Sequence, residues 1–191
     1  MQKADNTMFI DTTTLIWLFP IAFMFHDFEE LILFEPWLKK NADDIEARLK
    51  PRVPAFVARQ IRTILDKSTT EFAIPVSLIF AMTGLAAFLA TEYGQYGFFL
   101  LASGSFFLHG FMHLGQAVIL RRYVPAVITS VLIVIPYGLI LFRRLLEEGT
   151  INGSSLLVNF VLAVALTIPF ILVMHVVGDV VYKKAIKLLV H

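Results

Sequence analysis

The sequence predicts an all-α fold: a polytopic membrane helix bundle of five transmembrane helices plus a cytoplasmic amphipathic helix. Three observations carry this. Hydrophobic residues make up 58% of the 191-residue chain and charged residues only 16%, where a soluble domain carries roughly 25% charged residues. The mean hydropathy is +0.76. The apolar residues are gathered into long runs at 12–34, 72–90, 97–120, 124–142 and 154–180, each close to the roughly 20 residues that a helix needs to cross about 30 Å of hydrocarbon.

Each run reads as a helix within one membrane domain over 1–191. The first follows Lys3, Asp5 and Asp11 and runs into charged sequence with no A-x-A cleavage pattern, so it is not read as a signal peptide. The polar segment 35–70 carries Lys39, Lys40, Arg48, Lys50, Arg52, Arg59, Arg62 and Lys67. Within it Val57, Ile61, Ile64 and Leu65 recur at helical spacing beside basic residues, as in a helix lying on an anionic membrane surface; a solvated connector fits the same pattern. The second run follows Ser68-Thr69-Thr70-Glu71, which fits the S-x-x-E capping box, with Pro75 expected in its first turn. Pro20, Pro136 and Pro169 are interior and should kink their helices.

Lysine and arginine near helix ends favour the cytoplasmic side. Placing segment 35–70 inside puts every basic residue except Lys3, Arg143 and Arg144 inside. The predicted topology is an integral protein of a bacterial plasma membrane, N-terminus outside and C-terminus cytoplasmic. The chain has no cysteine, which excludes thiolate metal sites and disulfides. Its formal net charge of +1 gives no basis for expecting a nucleic-acid partner. The eighteen phenylalanines, Trp17 and Trp37 read as packing, lipid-facing or interfacial residues.

Ionisable groups inside membrane spans mark function by default. His26, Glu29 and Glu30 share one face of the first helix at i, i+3, i+4. Glu71 opens the second. His109 and His113 are one turn apart on the third, with Gln116 beyond, and His175 and Asp179 are one turn apart on the fifth. Because successive helices alternate in direction, all of these fall toward one membrane side. At about 1.5 Å rise per residue, His26, Glu30, His113 and His175 lie roughly 6–12 Å from their helix ends.

Neutral imidazole and carboxylate ligate zinc, iron or manganese. The expected ligands are His26, Glu30, His109, His113 and His175, with Asp179 as a further ligand or bridging group. Glu29 and Glu71 are the candidate general bases, and Glu71 is equally a helix cap. Two ions, or one ion with surrounding partner groups, would use this many donors.

The run His26-Asp27-Phe28-Glu29-Glu30 resembles the signature of the HxxEE family of bacterial integral membrane proteins. The resemblance extends to His113 and to Arg121-Arg122-Tyr123-Val124-Pro125 and Thr129. It implies a multi-helix membrane protein, suspected to be an enzyme, with no established substrate. Family members often show Pro-Gly where this chain has Pro125-Ala126. In residue types the set is also similar to the CAAX-processing glutamic intramembrane proteases: adjacent Glu29-Glu30, a later histidine, and His175-x-x-x-Asp179. Those enzymes carry an arginine where this chain has Phe34, so the similarity is one of parts.

The functional expectation is a metal-dependent membrane enzyme acting on a lipid or other membrane-soluble substrate at the cytoplasmic leaflet, with one or two zinc or iron ions. Hydrolysis fits zinc; oxidation fits two irons. The absence of paired E-x-x-H motifs favours hydrolysis. An ion transporter or proton relay would use the same residues, and a structural role is the non-catalytic rival.

Overall fold

The computed structural model describes residues 10–49, 51, 53–55 and 68–189, and among them every regular element is helical. The helices are α1 (Thr12–Leu49), α2 (Thr69–Tyr93), α3 (Tyr96–Leu120), α4 (Val127–Glu147) and α5 (Gly153–Leu189). Four of them, α2 to α5, are long and apolar enough to cross a membrane. The first span expected from sequence, 12–34, is not a separate helix: it falls in the first part of α1, a single helix of 38 residues that continues through Pro20 and Pro36 into charged sequence and is not among those four. The expected amphipathic surface helix around Val57 and Leu65, with Arg59, Arg62 and Lys67, lies outside the described residues.

Lipid is as apolar as these side chains, so close packing and polar contacts, rather than transfer from water, hold the helices together. α1 packs on α2, along α4 and on α3, α3 packs on α2, α4 and α5, and α5 also lies along α2. Small residues set the closest approaches. A β-carbon at Gly178 of α5 would lie 2.6 Å from the Pro75 ring of α2. α2 begins at Thr69, one turn before its uncharged run, because Ser68 and Glu71 form the expected capping box. Pro75 is therefore in the second turn, not the first.

On one side of the histidines the interior is filled by aromatic rings. Phe19 meets Phe99 edge-on at 5.6 Å between centroids and Phe106 at 5.8 Å. Phe106 in turn meets Phe23 and the His26 ring.

On the other side, polar contacts join α1 to the turn between α3 and α4. Trp37 Nε1 donates to the Tyr123 carbonyl at 2.7 Å. Arg122 donates to Asn41 Oδ1 at 2.6 Å and Asp44 Oδ2 at 2.5 Å. The charged extension of α1 thus acts as a brace for the 121–126 turn, which is why the helix does not stop at the end of its apolar run. Trp37 has a specific partner, beyond the interfacial role read from its residue type.

α4 starts irregularly. Ala126 adopts a left-handed conformation, φ 67°, and residues Ser130–Val134 form a π turn. Pro136 follows directly on this π turn and has no N–H for the Leu132 carbonyl, so the helix ladder is interrupted where the π turn meets the regular helix.

Candidate metal centre

His26 lies on α1 and is fully buried; His113 on α3 is 3% exposed. One turn before His113 on the same face is His109, and one turn after His26 on α1 is Glu30. Helix periodicity brings each pair onto one face, and the packing of α1 on α3 brings the faces together. One ligand atom from each of His26, Glu30, His109 and His113 lies within 4.8 Å of the other three. His109 Nε2 and His113 Nε2 are 2.9 Å apart. The His26 ring centroid is 5.1 Å from that of His113 and 5.5 Å from that of His109.

Buried polar atoms normally find a partner. Here His26 Nε2, His109 Nδ1, His113 Nδ1 and Asp27 Oδ2 are buried without a hydrogen-bond partner from the protein. Asp27 itself is 5% exposed. Among the described residues, no lysine or arginine pairs with Asp27 or Glu30. Three imidazoles and a carboxylate converging without a cation of their own fit a divalent metal ion: nitrogen and oxygen donors, four in number, suit zinc or iron. Ideal tetrahedral coordination with bonds of 2.0–2.1 Å places donors about 3.3 Å apart, within the span of this set.

The other expected residues are placed differently. Both Glu29 oxygens are engaged by α4 and its preceding turn. Oε1 accepts from the Tyr123 hydroxyl at 2.5 Å and from Ile128 N at 3.3 Å. Oε2 accepts from Thr129 N and Thr129 Oγ1, both at 2.7 Å. Thr129 Oγ1 is also 3.1 Å from His26 Nδ1. Glu71 Oε2 accepts from Ser68 N at 3.0 Å and Ser68 Oγ at 2.9 Å within its cap. His175 stacks on Phe72 at 5.5 Å, and Phe72 stacks on Phe34 at 4.5 Å. Neither His175 nor Asp179 belongs to the four-residue cluster.

Sequence spacing passes over three residues of this neighbourhood: Asp27, Tyr123 and Thr129. Asp27 sits one residue from His26 and so projects about 100° away on a helix. Its only sequence signal is the i, i+3 pairing with Glu30. Tyr123 and Thr129 reach the site solely through the turn before α4.

No curated protein and no solved structure matches the chain. A family model described as "Protein of unknown function with HXXEE motif" matches residues 17–141. The match takes in all four residues of the cluster, the 121–126 turn and Thr129, and extends over more than half of the sequence. The chain therefore belongs to the HXXEE family.

Proposed function

We propose that this protein is a metal-dependent integral membrane enzyme that acts on a lipid or other membrane-soluble substrate at the cytoplasmic leaflet. The observation that carries the reading is the convergence of His26, Glu30, His109 and His113 within 4.8 Å. Charge supports a divalent ion. The imidazoles are neutral ligands, and one such ion would balance the two negative charges that Glu30 and Asp27 carry when ionised. A buried carboxylate beside a half-buried one, both ionised with no counter-charge, would otherwise be costly.

Donor type supports hydrolysis over di-iron oxidation, because only one carboxylate joins the cluster and di-iron bundles are carboxylate-rich. Three imidazoles are the arrangement that catalytic zinc sites use to leave a fourth position open. A bound ion supplies Lewis-acid activation of water there. The protein's part is to hold three nitrogens fixed and to keep Glu30 beside that position, where it accepts a proton. This gives the base role to Glu30, since Glu29 and Glu71 are both occupied by hydrogen bonds. His175 and Asp179, near α2, are proposed to line the substrate approach.

The packed phenylalanines on the far side of His26 favour chemistry at one membrane face over conduction through the bundle. The topology read from the basic residues makes that face cytoplasmic.

The test is incubation of zinc-loaded protein with a total bacterial lipid extract in detergent micelles, followed by mass spectrometry of the lipids. The expected result is a class of cleaved lipid formed by the wild type and absent with Glu30→Gln and His113→Ala. An unchanged lipid profile with fully loaded wild-type protein would count against the enzyme reading.

A further inference from the structure

Thr129 has one hydroxyl proton and three polar neighbours. Glu29 Oε2 is at 2.7 Å, His26 Nδ1 at 3.1 Å and the Ala126 carbonyl at 3.2 Å. Carboxylate and carbonyl oxygens only accept, whereas an imidazole nitrogen either donates or accepts. Were the hydroxyl to donate to His26, its lone pairs would face the Glu29 oxygen at 2.7 Å with no proton between them. Donation to Glu29 makes the shorter, charge-assisted bond. The remaining neighbour, His26 Nδ1, must then donate to the hydroxyl. An imidazole protonated at Nδ1 carries its lone pair on Nε2, the His26 nitrogen that is buried without a partner and that an ion needs.

From this chain of bonds we infer that Glu29, acting through Thr129, is a positioning residue: it fixes the Nδ1–H tautomer and ring orientation of His26 and so presents Nε2 to the ion. Metal-ligating histidines commonly owe their tautomer to such a partner. The inference rests on the metal-site reading above.

The backbone around Thr129 is built to the same end. Ala126 takes a left-handed conformation three residues before it. The π turn begins directly after it, at Ser130. Irregular backbone of this kind is found where a side chain must be held in one place. Thr129 N and Ile128 N both donate to Glu29, so the same carboxylate anchors the start of α4 and sets the histidine. On α3, Gly110 lies next to His109, and a β-carbon there would come within 2.9 Å of Val134. The close seat of α4 therefore belongs to the geometry that brings Thr129 to His26.

The experiment is nitrogen-15 NMR of histidine-labelled, metal-free protein in detergent, with Zn²⁺ affinity measured by chelator competition. The variants are Thr129→Val, which keeps the shape and loses the hydroxyl, and Thr129→Ser, which restores it. The expected wild-type result is a single Nδ1–H tautomer for His26. Thr129→Val should lose that preference and bind Zn²⁺ about 10–100-fold more weakly, while Thr129→Ser keeps both. An Nε2–H tautomer in the wild type would overturn the inference, as would unchanged tautomer and affinity in Thr129→Val. The wild-type spectrum and Thr129→Ser decide the matter even if the valine variant fails to fold. A wild type that shows the tautomer, lost in Thr129→Val, but binds no Zn²⁺ would overturn the metal reading and leave the positioning of His26 through Thr129 standing.

Discussion

Gly110 of α3 and Val134 of α4 are in such close apposition that a β-carbon on the glycine would lie 2.9 Å from Val134 Cγ1 and 3.3 Å from its Cβ. Valine is stiff at χ1 and cannot swing aside freely. Gly110→Ala is therefore expected to push α4 off α3 and cost about 1–3 kcal/mol, the usual cost of overpacking. Thermal unfolding in detergent checks the stability. Zn²⁺ affinity should fall in parallel, because Thr129 moves with α4; unchanged affinity at a lowered melting temperature would separate the two effects.

Ala126 occupies a left-handed conformation at φ 67°, a region that disfavours a side chain by roughly 1–2 kcal/mol. Ala126→Gly should stabilise the protein by about 1 kcal/mol, since the native conformation no longer carries the Cβ penalty. A rise in melting temperature with unaltered metal content is the expected outcome, and a fall would show that the alanine methyl packs usefully.

Glu71 was legible as either a base or a cap, and substitution separates the two. Gln also serves at the third helical position of a capping box. Glu71→Gln should keep both thermal stability and any lipid-cleaving activity. Ser68→Ala should cost about 1 kcal/mol as a lost cap without affecting metal content. Abolished activity in a fully stable Glu71→Gln protein would return the base role to Glu71.

The carboxyl of Glu35 is held down to about 2 from its ordinary 4.5, first by the hydrogen bond from Lys39 and then by Thr69. Thr69 N donates to it at 2.8 Å, which ties the end of the first span to the start of α2. A depressed folded-state value means a contribution that is complete above about pH 4.5 and is lost as pH falls toward 2. Wild type should melt above Glu35→Gln at pH 7, and the gap should narrow steadily between pH 4.5 and 3. A gap that widens on acidification would reverse the assigned sign.

Much of this site could be read from sequence because its geometry is local. The i, i+4 pairs His26/Glu30 and His109/His113 follow from helix periodicity, and alternating helix direction puts them at one depth. Azimuth around the bundle axis does not follow from either rule. His175 is expected at the depth of the cluster, yet its ring stacks on Phe72. Thr129 was marked only by the family resemblance, and its role was hidden for a different reason. A hydroxyl in an apolar run carries no charge to mark it, and the turn that delivers it depends on Ala126 and the π register. The length of α1 was hidden as well, because charge after Phe34 signals the membrane boundary and not the end of a helix. Only the contacts of Asn41 and Asp44 with Arg122 show why the helix continues.

The claim that His26, His109 and His113 hold a divalent ion with Glu30 beside it is tested most directly by elemental mass spectrometry of the purified protein beside a His26→Ala/His113→Ala variant, each before and after incubation with Zn²⁺ or Fe²⁺ and removal of excess. Close to one ion per wild-type chain, and none in the variant, is the predicted result. No retained metal in the wild type, or equal metal in both proteins, would contradict it.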